Sequence, residues 1–411
     1  MSATLDQVRT LDAADPLRDF RSRFQLPDGV IYLDGNSLGA MPVATPERLR
    51  RAMEQEWGQG LIRSWNDADW IGAPARIGGK IARLIGAAAH EVVAADSTSV
   101  NLFKLLTAAL AVQPERRVIL TETGNFPTDL YIAQGVAALA PGVELRAVPG
   151  EAVEAAIDDQ VAVVLLTHVH YKTAARRGMA AITARAHAAG ALVLWDLSHS
   201  AGAIAVDLNG CRADLAVGCG YKYLNGGPGA PAFLFVAERW QARLTSPLWG
   251  WMGHGAPFAF DDTYRPAPGI GRFLCGTPPM LGLLALEVGV DLALEADLSA
   301  LGAKSAALWD LMAREVAERC AGHGCELMTT ADARARGSHI SFAHPNGYAI
   351  MQALIARGVI GDFRDPDVMR FGLTPLYLGY EDVWRAVDIL AEILRTEAWR
   401  ETPARVEGRV T

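Results

Sequence analysis

Lys222 lies in Gly-Cys-Gly-Tyr-Lys-Tyr-Leu-Asn-Gly-Gly-Pro (218–228), directly after a short apolar run, and Asp196 ends an earlier run of the same kind. An amine can form a Schiff base with an aldehyde, and a carboxylate can keep a pyridine nitrogen protonated. Together they are what pyridoxal phosphate (PLP) chemistry requires. Each residue also has an ordinary explanation: a solvated lysine before a glycine turn, and an aspartate that caps a helix or closes a surface turn. A nucleophilic lysine needs a lowered pKa, which burial and nearby positive charge in a cofactor pocket would supply.

Other segments could serve the same ligand. Ser-Thr-Ser-Val-Asn (97–101) opens a helical stretch after Asp96, so Thr98 and Ser99 could join free backbone amides in a phosphate cup. Plain N-capping by Asp96 or Ser97 leaves a similar signature. Phe-Pro-Thr-Asp (126–129) could lay the Phe126 ring over a planar cofactor with Thr128 and Asp129 beside it, although a lone phenylalanine is more often core. His199, three residues past Asp196, could reach the same ligand or be a structural histidine. Arg370 sits in an otherwise apolar run, Met-Arg-Phe-Gly-Leu (369–373), and must be paired there. Its partner is either a substrate carboxylate held by the planar fork or a structural acid.

Short apolar runs at 117–121, 161–167, 191–195, 215–218 and 232–236 read as strands. Helical stretches at 97–112, 127–139 and 179–189 lie between the earlier ones. Alternation of this kind predicts an α/β domain around a mostly parallel sheet. The run 161–167 is apolar throughout, as a strand covered on both faces should be. Asp196 then falls at the strand edge where open α/β sheets bind ligands. Beyond 281 the texture changes: a long helical stretch to about 320, a strand at 338–342, a helix at 347–357, a strand at 368–373 and a last helix at 381–399. The expected division is 41–280 for the large domain and 281–411 for a smaller α+β domain. Residues 1–40 form an arm, or surface helix, that helps complete the smaller domain.

A chain of 411 residues exceeds what one hydrophobic core usually serves. With 51% hydrophobic and 20% charged residues and a net charge of −8, it gives no reason to expect nucleic acid or an anionic membrane surface as partner. No apolar stretch approaches the ~20 residues of a membrane span. The first residues lack a basic-then-apolar signal pattern, and five scattered cysteines suit a reducing compartment, so the cytoplasm is expected. Nothing has zinc-site spacing, and no metal is expected.

Taken in order, Gly-Asn-Ser-Leu-Gly (35–39), Phe-Pro-Thr-Asp (126–129), Trp-Asp-Leu-Ser-His (195–199), Tyr-Lys-Tyr-Leu-Asn (221–225), Gly-Trp-Met-Gly-His (250–254) and Arg-Phe-Gly (370–372) resemble the kynureninases. These are fold type I, aspartate aminotransferase-like PLP enzymes. The likeness runs from Tyr32 almost to the C-terminus. It implies that Lys222 carries the cofactor, Asp196 faces its ring nitrogen, His199 lies near and Phe126 stacks on the ring. Thr98, Ser99 and Tyr221 would bind phosphate, while Pro127, Thr128, Asp129 and Thr167 complete the pocket. Trp251 and Thr277 match positions contributed across a homodimer interface, and Arg370 matches the holder of the substrate carboxylate.

The implied reaction is hydrolysis of the Cβ–Cγ bond of L-kynurenine to anthranilate and L-alanine, a step of tryptophan degradation and of the kynurenine route to NAD. Lys222 would take the Cα proton, and Tyr221 is the candidate for proton transfer at the carbonyl or at Cβ. Members that favour 3-hydroxykynurenine pair an early-loop histidine with an asparagine near position 277. Here Thr277 replaces the asparagine, and Trp65 stands where the histidine would be. Unmodified kynurenine is therefore the expected better substrate. The alternatives are another fold type I activity, a cysteine desulfurase or class V aminotransferase, or a non-catalytic PLP-binding protein. The desulfurase would need a nucleophilic cysteine on a mobile loop, which Cys320 and Cys325 match poorly; retention of Lys222, Asp196 and Arg370 argues against the non-catalytic protein.

Overall fold

The computed structural model describes residues 2–401; the end of the expected second domain, 402–411, lies outside the described residues. Seven strands form the main sheet: β1 (Val92–Ala94), β2 (Val118–Glu122), β3 (Glu144–Val148), β4 (Val161–Thr167), β5 (Leu192–Asp196), β6 (Leu215–Gly218) and β7 (Phe233–Val236). Their spatial order is β1-β7-β6-β5-β4-β2-β3. Only β7 runs antiparallel to its neighbours, so the sheet is mostly parallel, as expected. Every residue of β4 and β5 is buried, because apolar layers cover both faces. That is why these strands read as unbroken apolar runs.

Helix boundaries follow local chemistry. Helix Pro127–Leu139 has proline at its start. Helix Met179–Ala189 ends at Gly190, whose φ of 82° suits a residue without a Cβ. Two strands of the main sheet escaped the sequence reading. β1 is only three residues long, and β3 lies at the sheet edge with no clear alternation of buried and exposed positions. The long helical stretch is in fact two helices, Met280–Glu295 and Leu298–Arg319. Asp297 separates them by accepting the Ala300 amide at 2.7 Å as the N-cap of the second.

A four-stranded antiparallel sheet contains His339–Ala343, Asp362–Arg364 and Val368–Gly372. Its apolar cluster also takes in Val8, Leu17, Phe24, Leu33 and Ala40 from the first forty residues. Residues 31–32 pair in parallel with 359–360, and Gly372 donates its amide to the Leu33 carbonyl at 2.7 Å. The chain then crosses to the Lys222 loop, where the Gly39 amide donates to the Tyr221 carbonyl at 2.8 Å. Gly39 is required there: a Cβ would stand 2.2 Å from the Lys222 carbonyl oxygen.

The N-terminal arm is helix Leu5–Ala14, and it caps the last helix, Tyr380–Thr396, from outside. That helix begins at Gly379, which has no side chain to cap it. Asp12 supplies the carboxylate instead, accepting the Tyr380 amide at 2.7 Å and the Glu381 amide at 2.9 Å. An acid at a helix N-terminus also meets the favourable end of the helix dipole. Asp12→Ala should therefore cost about 1 kcal/mol of stability and leave turnover unchanged. Denaturant unfolding checks this, and an unaltered midpoint would mean that water caps the helix equally well.

Candidate active site

The carboxyl edge of the main sheet gathers most of the expected residues. Thr167 and Asp196 end adjacent strands and are register partners. Asp129 and Asp196 are buried, at 0% and 2% exposure. The Ser198 amide donates to Asp196 Oδ1 at 2.7 Å, and the Thr167 hydroxyl lies 3.4 Å from Asp129 Oδ2. Burial, and then the nearby Asp196, hold the Asp129 carboxyl well above the ordinary range. Burial raises Asp196 too, but hydrogen bonds from Ser198 and the nearby Lys222 pull it back. Hydrogen bonding between the two acids raises Asp129 and lowers Asp196. Two anions this close cannot both persist out of water, so the pair shares one proton.

Lys222 Nζ lies 3.0 Å from His199 Nε2, 5.4 Å from the centre of the Phe126 ring and 5.8 Å from that of Tyr221. Burial and the neighbouring lysine push the His199 imidazole well below its usual pKa, so it stays neutral. Burial, with Cys219 and Asp196 nearby, raises the Tyr221 hydroxyl. At the other end Ser97 does the capping, accepting the Val100 amide at 3.3 Å. Thr98 and Ser99 occupy the first turn of helix Thr98–Val112, half-buried. Among the described residues neither hydroxyl has a protein hydrogen bond. Pro127 and Thr128 stand likewise at the start of their helix.

Of the two partners weighed for Arg370, the structure contains the acidic one. Arg370, 2% exposed, donates through Nε to Asp362 Oδ1 at 2.8 Å and through NH2 to Asp362 Oδ2. It also reaches the Tyr171 carbonyl at 2.7 Å and Ser37 Oγ at 3.0 Å. Trp65, Trp251 and Thr277 are not drawn in. Among the described residues no hydrogen bond or ring contact joins them to Lys222 or the acid pair. Trp65 packs on Trp70, Trp251 is 41% exposed and Thr277 is exposed.

Several residues at the site were missed. Asn125, 1% exposed, accepts the Thr167 hydroxyl and the Phe126 amide, fixing the aromatic segment. Lys104, fully buried, ties Asp96 to the Phe273 carbonyl, 2.6 Å away, and so anchors the start of the phosphate-side helix. His339 is fully buried with its ring 5.4 Å from His199 and both nitrogens unpartnered. Only the motif around Asn125 carried any sequence signal. A groove of about 980 Å³ lies elsewhere, between the N-terminal arm and the last helix, and Lys222 does not line it.

These groups suit PLP. A buried anion stands ready for a ring nitrogen, and Asp129 Oδ1 and His199 Nδ1 are buried polar atoms without partners. Unpaired groups of this kind are costly unless a ligand satisfies them. None of the thiols suits a desulfurase nucleophile. Burial raises Cys211, Cys219 and Cys275, and it pushes Cys320 to about 12 and Cys325 to about 11.

The solved structures that share this fold include a cysteine desulfurase of Thermococcus onnurineus NA1, with TM-score 0.78 and 19% identity over 96% of this chain and all of that one. The cysteine desulfurase CsdA of Escherichia coli gives TM-score 0.76 and 19% identity over 92% and 98%. At that identity they speak for the fold alone. Sequence relatives say more. A kynureninase of Pseudomonas fluorescens is 52% identical over 414 aligned residues, 99% of this chain and 100% of that protein. One of Burkholderia mallei (strain SAVP1) matches to the same extent. Residues 301–390 fit the model of the kynureninase C-terminal domain. Half-identical to such relatives along essentially its whole length, the chain belongs to the kynureninase family, whose members are PLP-dependent hydrolases of a carbon–carbon bond.

Proposed function

We propose that this protein hydrolyses L-kynurenine to anthranilate and L-alanine, in the cytoplasm, as a step of tryptophan degradation that also feeds NAD synthesis. The observation that carries the reading is the Lys222 amine, 3.0 Å from a neutral His199 and beside a buried acid pair, in a chain of this family. The cofactor supplies an electron-withdrawing ring that stabilises negative charge on the carbon bearing the substrate amine. Asp196 holds the proton on the ring nitrogen, and Asp129, itself protonated, steadies Asp196. Thr98 and Ser99 bind phosphate, Phe126 stacks, and Thr128, Thr167 and Pro127 shape the pocket wall. Lys222 Nζ takes the proton from Cα while His199 offers that amine a neutral acceptor. Tyr221 passes a proton to the carbonyl oxygen or to Cβ as water adds at the γ-carbon. Arg370 binds the α-carboxylate.

We read the chain as two domains, 41–280 and 281–411, with 1–40 joined to the second. A homodimer is supported by exposed apolar side chains: Trp249, Trp251, Phe258 and Phe260 in segment 249–260, and Trp57 and Ile62 in the helical segment 52–63. Exposed aromatic clusters such as Trp251, Phe258 and Phe260, whose rings pack together, suit a protein–protein contact. Such a partner would bring Trp251 and Thr277 to the neighbouring site, with Trp65 and Thr277 against the substrate ring. Among the described residues no helix is long and apolar enough to cross a membrane, and the negative net charge offers nothing to nucleic acid.

The purified holoenzyme should sediment as two chains and release fluorescent anthranilate from L-kynurenine, with a higher kcat/KM than for 3-hydroxykynurenine. Absence of anthranilate would overturn the activity, and the reverse ranking would overturn only the roles given to Trp65 and Thr277. Tyr221→Phe should keep the cofactor bound yet lose about 10²–10⁴-fold in turnover; unchanged turnover removes Tyr221 from proton transfer. Asp196→Asn should lose a similar factor because an amide cannot hold the ring proton. Asp129→Asn, which mimics an acid already protonated, should stay within about tenfold of the parent. Single-turnover rates with cofactor absorbance measure both, and equal losses would put the shared proton on the wrong acid.

A further inference from the structure

Asp362 faces Arg370 across two antiparallel strands, and it serves a second guanidinium as well. Arg364 NH2 lies 2.7 Å from Asp362 Oδ2 and 3.4 Å from Ser37 Oγ. The two arginines differ in what remains available. Arg370 is 2% exposed, and its Nε, both NH2 hydrogens and one NH1 hydrogen are engaged. Arg364 is 31% exposed. Its NH1 reaches the Phe363 carbonyl at 3.0 Å, and among the described residues its Nε makes no hydrogen bond. A guanidinium that is partly exposed and keeps an unused Nε–H can give a carboxylate a directed, charge-assisted hydrogen bond.

The position is right for a bound amino acid. Tyr171, whose carbonyl accepts from Arg370, packs edge-on against Phe126 at 5.3 Å, and Phe126 flanks Lys222. Both guanidiniums act on the Tyr171 hydroxyl and on the His199 imidazole that touches Lys222. Charge counting agrees. Two arginines face Asp362, which its pairing with Arg370 holds ionised, and Asp34, whose carboxyl is pushed up to about 7 by burial and by Asp362. With Asp34 protonated the group carries one uncompensated positive charge. A single carboxylate neutralises it.

We propose that Arg364 is a substrate-binding residue, the second guanidinium of the α-carboxylate site and the one with a free Nε–H for the incoming ligand. The proposal deepens the kynurenine reading and rests on it for the identity of the substrate. Its test need not depend on turnover. L-alanine and ethylamine are amines that differ by the carboxylate and a hydrogen, and each can be titrated into the PLP-loaded enzyme by absorbance. Arg364→Gln should weaken L-alanine about 10- to 100-fold and leave ethylamine unchanged. The KM for L-kynurenine should rise by a similar factor with kcat within about threefold. Arg364→Lys, which keeps the charge without the fork, should recover part of the loss and guards against misfolding of the first variant. If L-alanine binds the Gln variant as tightly as the parent, or if ethylamine weakens equally, Arg364 only neutralises Asp362 and the proposal fails. If the alanine effect holds but the parent enzyme releases no anthranilate, the substrate reading fails and the carboxylate site stands.

Discussion

Removing charge from water at one sheet edge is the constraint around which this molecule is arranged. Asp129, Asp196, His199 and Lys222 are all buried within a few side chains of one another. An isolated buried ion would cost several kcal/mol or would neutralise. The structure uses both escapes. Asp129 and His199 are held neutral, Asp196 is held by the Ser198 amide, and the lysine faces an uncharged acceptor. Asp129 Oδ1 and His199 Nδ1 keep no protein partner among the described residues, so a ligand could satisfy them. The same desolvation that would destabilise an empty pocket thus supplies affinity for a charged, flat cofactor.

The second domain repeats this solution in a different form. Its strands put Arg370 directly opposite Asp362, so the arginine is oriented before any substrate arrives. Residues 34–39 bridge the two sites. Gly39 lies against the Lys222 backbone, and Ser37 donates to Asp362 at 2.7 Å. A short N-terminal segment therefore sets the distance between the Lys222 loop and the Arg364–Arg370 pair.

Legibility followed burial and locality. Strands buried on both faces, such as Val161–Thr167, and helices with proline or glycine at their ends were readable because period and punctuation are local properties. Edge strand Glu144–Val148 and the break at Asp297 were not, since edge position and a single cap leave little pattern. The residues around Asp196 and Lys222 were legible because motifs surround them and because Asp196 ends an apolar strand while Lys222 follows one by four residues. His339, Asp362 and Arg364 were not. Each lies in an ordinary-looking strand, and its meaning depends on which strand pairs beside it. A family likeness could suggest Arg370 for the substrate, but it could not reveal that Asp362, Ser37 and the Tyr171 carbonyl already occupy four of its hydrogens.

That last point bears on how tightly a carboxylate can be held. Arg370 gives Nε, both NH2 hydrogens and one NH1 hydrogen to protein acceptors, which leaves it mainly a source of field. Field alone is weakly directional, whereas α-amino acid chemistry needs the Cα–H bond fixed against the ring plane. In the proposed carboxylate site a second, less buried guanidinium on the same acid would restore direction through its Nε–H, with Asp362 holding both arginines in place. Asp34, pushed up to about 7 by burial and by Asp362, is only partly ionised near neutrality, which leaves room for a substrate anion.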